Sequence, residues 1–194
     1  MAVKSNFAAG NILTASDTNT YLTNGGLVYV TQTLVSSGSA TSVSFNGCFT
    51  STYDNYRIII DSFQPSVAAR GLNLRLRVGG VDTATNYVYA FRGLYVDGTT
   101  ADNFSNAATF YDTSVYNSTN TIAIGSAAID VFNPARTDRT FFSNNSSLYN
   151  AQFGCRFGIG EQNDSTAFDG FTLLLSGTGN ITTLRCRVYG YRQA

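Results

Sequence analysis

Alternation of apolar and polar residues with a period of two recurs from residue 27 to the end of the chain. In residues 71–78 the leucines alternate with Asn73, Arg75 and Arg77, which is typical of an antiparallel strand with one buried face. Ten further segments are predicted as strands from similar patterns: 27–35, 40–46, 55–63, 86–96, 107–112, 120–132, 139–143, 147–159, 170–176 and 181–191.

Short turn sequences separate these segments, and no helical periodicity interrupts them. The turn signals are Ser36-Ser37-Gly38, Asn46-Gly47, Gly79-Gly80, Asp97-Gly98, Asn144-Asn145 and Gly177-Thr178-Gly179-Asn180. Many short strands at this spacing predict an all-β fold, an antiparallel β-sandwich that is jelly-roll-like. A jelly roll of two packed four-stranded sheets is the commonest solution for a domain of this size.

The first 26 residues differ from the rest and predict a separate N-terminal arm, with the β-sandwich domain at 27–194. Thr14 followed by Asp17 is typical of a helix start, and Asn24-Gly25-Gly26 is typical of a helix end. Such a short helix is marginal alone, so we expect it to dock on its own sandwich or on a neighbouring subunit.

Charged groups are scarce, and this excludes several kinds of chemistry. The chain has 12 Lys+Arg, 12 Asp+Glu and no histidine, so its formal net charge is zero. Without histidine there is no Ser-His nucleophile system and no His-ligated zinc. A neutral chain with Lys4 as its one lysine is a poor phosphate binder. We expect no catalytic residues, no cofactor, no metal and no nucleic acid partner.

The sequence shows neither a signal peptide nor an apolar run long enough to span a membrane. We therefore expect a protein made in the cytosol, without a membrane partner and with reduced thiols. Cys155 lies in the alternating run of Phe153, Phe157 and Ile159, and Cys186 lies on one strand face; both are predicted to be small buried apolar residues.

Two arginine pairs are candidate interaction residues. Arg75 and Arg77, like Arg185 and Arg187, lie two residues apart on outward strand faces. They could bind a protein partner, since the planar guanidinium suits interfaces, or they could pair with aspartates on neighbouring strands.

Two aspartates, Asp61 and Asp130, lie inside predicted strands, and for Asp61 a cross-strand arginine pair is the simplest interpretation. Tyr87, Tyr89 and Phe91, together with Tyr95, lie on one strand face. This face would either pack in the core or be partly exposed for subunit contact or glycan stacking.

Three segments resemble virion proteins of tailed bacteriophages, notably of cyanobacterial and marine phages. They are the opening FAAGNILTASDTNTYL with NGGLVYV (7–30), the stretch YDNYRIII (53–60) and the closing FTLLLSGTGNITTLRCRVYGY (171–191). The resemblance implies a virion β-sandwich, often trimeric, and carries no catalytic residues. The shortness of the chain, without shaft repeats, favours a capsid cement (decoration) protein over a long tail fibre.

We therefore expect a homotrimeric cement protein in the virion that binds the major capsid protein and stabilises the shell by multivalent contacts. The alternative is a short tail, tail-tip or receptor-binding protein that recognises host-surface glycan. A glycan hydrolase would need a pair of carboxylates in a cleft. The candidate partner-binding residues are Phe7, Ile12, Leu13, Tyr21, Leu22, Arg75, Arg77, Arg185 and Arg187.

Overall fold

The computed structural model describes residues 26–117, 125–150 and 152–192. These ranges contain strands and no helix. The predicted arm helix lies outside them. The strands are β1 (Leu27–Ala40), β2 (Ser42–Phe45), β3 (Asn55–Pro65), β4 (Arg70–Val78), β5 (Val81–Asp82), β6 (Tyr87–Tyr95), β7 (Thr100–Ala108), β8 (Tyr111–Asn117), β9 (Gly125–Phe132), β10 (Thr140–Asn150), β11 (Gln152–Gln162), β12 (Gly170–Leu175) and β13 (Ile181–Tyr191).

The strands form a larger and a smaller layer, which confirms the predicted all-β sandwich. The larger sheet has the order β1-β13-β3-β9-β10-β11-β6-β7, and every neighbouring pair in it is antiparallel. The smaller sheet has the order β8-β4-β12-β2, with β5 beside β4. A short parallel pairing of β10 with β8 joins the layers. The strands are therefore divided unequally, instead of four against four.

The core lies between the two layers and follows the predicted alternation in most strands. In β4, the side chains of Leu72, Leu74 and Leu76 are fully buried, whereas Arg75 and Arg77 point away from the core. Burial of one face of each sheet is the main stabilising contribution in such a fold.

Aromatic rings fill the core where β8 of the smaller sheet crosses the larger sheet. Tyr111 of β8 stacks on Phe142 of β10 with ring centroids 4.3 Å apart, and Phe91 of β6 lies 5.5 Å from it. Tyr87 and Tyr89 of β6 are buried as well. This confirms the core-packing interpretation of the tyrosine-rich strand.

Strand β11 is oriented opposite to the prediction, and the burial predicted for Cys155 was wrong. Phe153, Phe157 and Ile159 are exposed on the outer face, and Cys155 is half-buried among them. Three of the inward positions of β11 are glycines: Gly154, Gly158 and Gly160. Space is the reason at Gly158 and Gly160: a Cβ at the first would collide with the Phe91 ring and a Cβ at the second would lie 2.5 Å from the Tyr111 ring, so no side chain fits beneath these rings.

The predicted turn at Asn144-Asn145 was also wrong, because both residues lie inside β10. The Asn144 side chain is buried, and it accepts a hydrogen bond from the Tyr111 hydroxyl (3.1 Å) and donates one to the Thr113 carbonyl (2.6 Å). A buried amide whose oxygen and nitrogen both have hydrogen-bond partners is compatible with a strand interior. The segment predicted as one strand, 147–159, is divided between β10 and β11.

Burial also raises the pKa of several weak acids. Desolvation raises the pKa of Cys48 to about 12, and it raises the pKa of Cys186, Tyr87 and Tyr111 well above their ordinary values. The buried Tyr87 hydroxyl donates to the Thr83 carbonyl (3.0 Å) and accepts from the Leu76 amide (2.8 Å). Ionisation would remove the first of these bonds and place a charge in the core.

These raised pKa values predict a loss of stability at alkaline pH. Each group holds its proton more tightly folded than unfolded, so its stabilisation is complete below the unfolded pKa and is lost as pH rises through the folded pKa. We expect the free energy of unfolding in urea to fall above about pH 9 to 10, where unfolded thiols and phenols ionise. Tyr87→Phe should make this fall less steep; an identical slope in that variant would contradict the role given to Tyr87.

Candidate docking surface

The outer face of the larger sheet, the side turned away from the smaller sheet, is continuous across all eight strands. Hydrogen-bonded register places one row of outward residues from edge to edge. In order from β1 to β7, this row is Tyr29, Tyr189, Arg57, Asp130, Ser143, Ile159, Ala90 and Phe104. The row is aromatic and charged at the β1 end and apolar at the β7 end, so the face has two chemically different halves.

In the polar half, on β13, β3 and β9, two arginine–aspartate pairs hold most of the charges. Arg57 donates to both oxygens of Asp130 (2.7 Å each), and the Tyr191 hydroxyl donates to the same carboxylate (2.6 Å). Burial and this bond to Asp130 raise the pKa of Tyr191 to about 12. Arg187 donates to both oxygens of Asp61 (2.8 and 2.6 Å). The cross-strand arginine partner predicted for Asp61 is confirmed.

These paired contacts occupy the carboxylates of Asp61 and Asp130, which lie inside β3 and β9. Bidentate arginine pairs hold carboxylates as anions in a fixed geometry, which suits structure rather than proton transfer. Within the described ranges, no group of three or more His, Cys, Asp and Glu residues is placed to hold a metal ion. Likewise, those ranges contain no helix that is long and apolar enough to cross a membrane.

The apolar half lies on β10, β11, β6 and β7 and consists of large side chains in solvent. Phe104 is 81% exposed and Ile159 is 67% exposed. Monomeric proteins rarely expose a continuous apolar patch of more than a few hundred Å², and such patches commonly mark interaction sites. The six side chains that define the apolar half are Leu94, Phe104, Phe141, Phe153, Phe157 and Ile159.

Two grooves run through the apolar half. One, of about 560 Å³, passes between Phe104 and Phe157, with the small residue Ala90 between its walls. The other, of about 450 Å³, is bordered by Phe132 and Phe141. Ala90 pairs with Ile159 on one side and with Phe104 on the other, so a gap of one side chain lies between two large ones. The surface therefore has both projecting rings and space to receive them.

Few charges lie on this surface. Arg92 and Asp102 lie opposite each other on β6 and β7, 3.8 Å apart, with 77% and 52% of their side chains exposed. Glu161 lies at the end of β11 and is 3.5 Å from Arg139. Exposed pairs of this kind contribute little to folding, so these charges remain available to a partner.

The predicted partner-binding arginines do not form one surface. Arg75 and Arg77 are on the smaller sheet, whereas Arg185 and Arg187 are on the larger one. The Arg77 side chain is 13% exposed and pairs with Asp82 at 2.9 Å. Arg187 is paired as described above.

The remaining two arginines differ in their contacts. Arg75 donates to the Thr109 carbonyl at 2.9 Å. Arg185 is exposed and makes no ion pair or hydrogen bond with the described residues. The intramolecular alternative therefore holds for Arg77 and Arg187, and a role in partner binding stays a prediction. The other candidates lie outside the described residues: Phe7, Ile12, Leu13, Tyr21 and Leu22.

Sequence reasoning missed the apolar half because it placed the apolar residues of β11 inside. A signal was present in the alternate glycines of the same strand, Gly154, Gly158 and Gly160. Glycine within a strand often marks a close approach by another part of the molecule. A strand with glycine on one face and large apolar residues on the other can present its apolar side to a partner.

Comparisons with known proteins return no matching family model, no matching curated protein and no matching solved structure. The fold and the surface together define an all-β sandwich protein with an exposed apolar sheet face.

Proposed function

We propose that this chain is a structural virion protein, a capsid cement (decoration) protein that binds and stabilises the major capsid shell as a homo-oligomer. The observation that carries the proposal is the apolar half of the larger sheet, which exposes six large apolar side chains. A protein with such a face gains free energy by covering it, and an assembly of many copies provides the partners.

The chemistry of the surface suits assembly better than catalysis. The carboxylates of Asp61 and Asp130 on the larger sheet are held by arginines, and the large exposed side chains of the apolar half are apolar. Binding through such a face depends on buried area and on the number of copies engaged. Several modest contacts made together hold more tightly than any one of them, which is how a cement protein would resist outward pressure on a shell.

The resemblance to tailed-phage virion proteins supports the virion assignment, and two of its three segments meet in the fold. The stretch 53–60 enters β3, and the closing segment includes β13, which pairs with β3. A side chain at Gly190 would collide with the Tyr53 ring, so the glycine of one segment makes room for the tyrosine of the other. The shared residues thus serve the sandwich itself.

The alternative, a tail-tip protein that binds glycan, receives no support from the tyrosine-rich strand. Tyr87 is fully buried and Tyr89 nearly so. Glycan stacking needs an aromatic face open to solvent, so these rings are not available for it.

Immunogold labelling of purified virions tests the location. Antibodies raised against the full chain are expected to place gold on the capsid heads in negative-stain electron microscopy. Gold confined to tails would overturn the cement role in favour of the tail alternative. Particles that contain the protein by mass spectrometry of disrupted virions but carry no external gold would overturn an outer-surface location.

A further inference from the structure

We propose that a second copy of this chain covers the apolar half of the larger sheet. The inference names the partner for the surface on which the proposed function rests. It depends on the charges that lie on the face, on its shape and on its size.

The charges favour a copy of the same chain. Arg92 and Asp102 give the face one positive and one negative group on neighbouring strands, in the same register row as Phe157. A second copy packed on this face can place its Asp102 against Arg92 and its Arg92 against Asp102. The chain has a formal net charge of zero, so copies do not repel one another as they approach. A strongly charged partner would find no matching surface here.

The shape is self-complementary as well. Phe104 projects from the edge strand β7 and is 81% exposed. Beside it, Ala90 leaves a gap between Phe104 and Ile159. The Phe104 ring of one copy can therefore enter the gap at Ala90 of the next, as a projecting side chain does in packed protein interfaces. One surface carries both the projection and the recess.

The size of the face fits the centre of a standard interface. Four strands cover about 20 Å across and about 25 Å along the strands, or about 500 Å². Stable interfaces bury about 800 Å² on each partner, with an apolar centre and a polar rim. Ser143 and Asn145 of β10 can supply that rim on the side that adjoins β9.

Light scattering after size-exclusion chromatography of the full chain tests the inference. The wild type is expected at a mass of two or more protomers, each of 20.8 kDa. Phe104→Ser and Phe157→Ser should each raise the dissociation constant at least about tenfold, the change that corresponds to 1.4 kcal/mol. Val81→Ser is the matched control, since Val81 is 69% exposed but lies outside the apolar half. A monomeric wild type, or association unaffected by both serines, would overturn the inference.

Charge reversal provides a second measurement in variants that change only exposed groups. Arg92→Asp and Asp102→Arg should each weaken association, because like charges would meet across the interface. Mixing the two variants, or combining both changes in one chain, should restore it, most clearly at low ionic strength. Association of each single variant as strong as the wild type would count against the Arg92–Asp102 contact.

The same variants separate this inference from the proposed function. A wild type that labels virion heads but is monomeric in solution, with Phe104→Ser incorporated as well as wild type, would overturn the self-association and leave the cement role intact. A chain that associates through this face but is absent from heads would overturn the cement role and leave the self-association intact.

Discussion

Replacing Gly160 with valine is expected to lower the free energy of unfolding by about 3 kcal/mol, the upper part of the range for overpacked cores. A Cβ at this position would lie 2.5 Å from the Tyr111 ring and 2.6 Å from the backbone oxygen of Val88. The backbone oxygen belongs to the neighbouring strand and cannot move without breaking the sheet. Urea unfolding followed by far-ultraviolet circular dichroism measures the change. Tryptophan fluorescence is not an option, since the chain has no tryptophan.

The matched control is the preceding residue on the same strand. Ile159→Ser changes a larger side chain, but that side chain is 67% exposed. We expect it to alter the free energy of unfolding of the monomer by no more than about 0.5 kcal/mol. If the serine were costly and the valine harmless, the orientation of β11 would be opposite to the one described.

Replacing Tyr111 with alanine is expected to cost about 3–5 kcal/mol, as for other buried aromatic side chains. The ring stacks on Phe142, contacts Phe91 and covers Gly160, and its hydroxyl donates to Asn144. The variant would leave a cavity at the junction of the two layers. It would also remove the hydroxyl that donates to the side-chain oxygen of Asn144. The same urea measurement applies.

Two companion variants separate the ring from its hydroxyl and from the glycine beneath it. Tyr111→Phe keeps the ring and should cost only about 1–2 kcal/mol, for the lost hydrogen bond. Adding Gly160→Ala should be less costly in Tyr111→Ala than in the wild type, because the removed ring leaves space for the new methyl group. Equal costs in both backgrounds would show that the ring and the glycine do not restrict each other.

The two faces of β11 therefore serve different purposes. Its glycine face, at Gly158 and Gly160, allows aromatic rings to pack the core, while Phe157 and Ile159 on the other face create the apolar half. Substitutions on the first face should affect folding, and substitutions on the second should affect association. This separation makes the proposed assembly surface accessible to mutagenesis in a protein that still folds.

Much of the fold could be predicted from local pattern. In β4, leucines alternate with polar residues that are costly to bury, so the pattern alone identifies the inner face. The same reasoning failed in β11 because apolar residues alternate there with glycine as well as with polar residues. Glycine can lie inside or outside without a solvation cost, and the pattern then has two solutions.

The candidate site was predicted only in part. An arginine partner for Asp61 followed from its position in a strand, and Arg187 is that partner. The apolar half did not follow, because its members come from four strands and are far apart in the chain. Phe104, Ile159 and Phe141 become neighbours only when β7, β6, β11 and β10 are in register.

The sequence by itself determined an all-β chain, the inner face of strands such as β4, and the absence of histidine chemistry, because periodicity and composition act locally. Only the tertiary structure decided which face of β11 is buried. Aromatic rings from β6 and β8 take the space above Gly158 and Gly160, and close packing leaves no room for a side chain at these two positions. The large apolar residues were thereby placed outside, where they form the surface proposed to hold the assembly together.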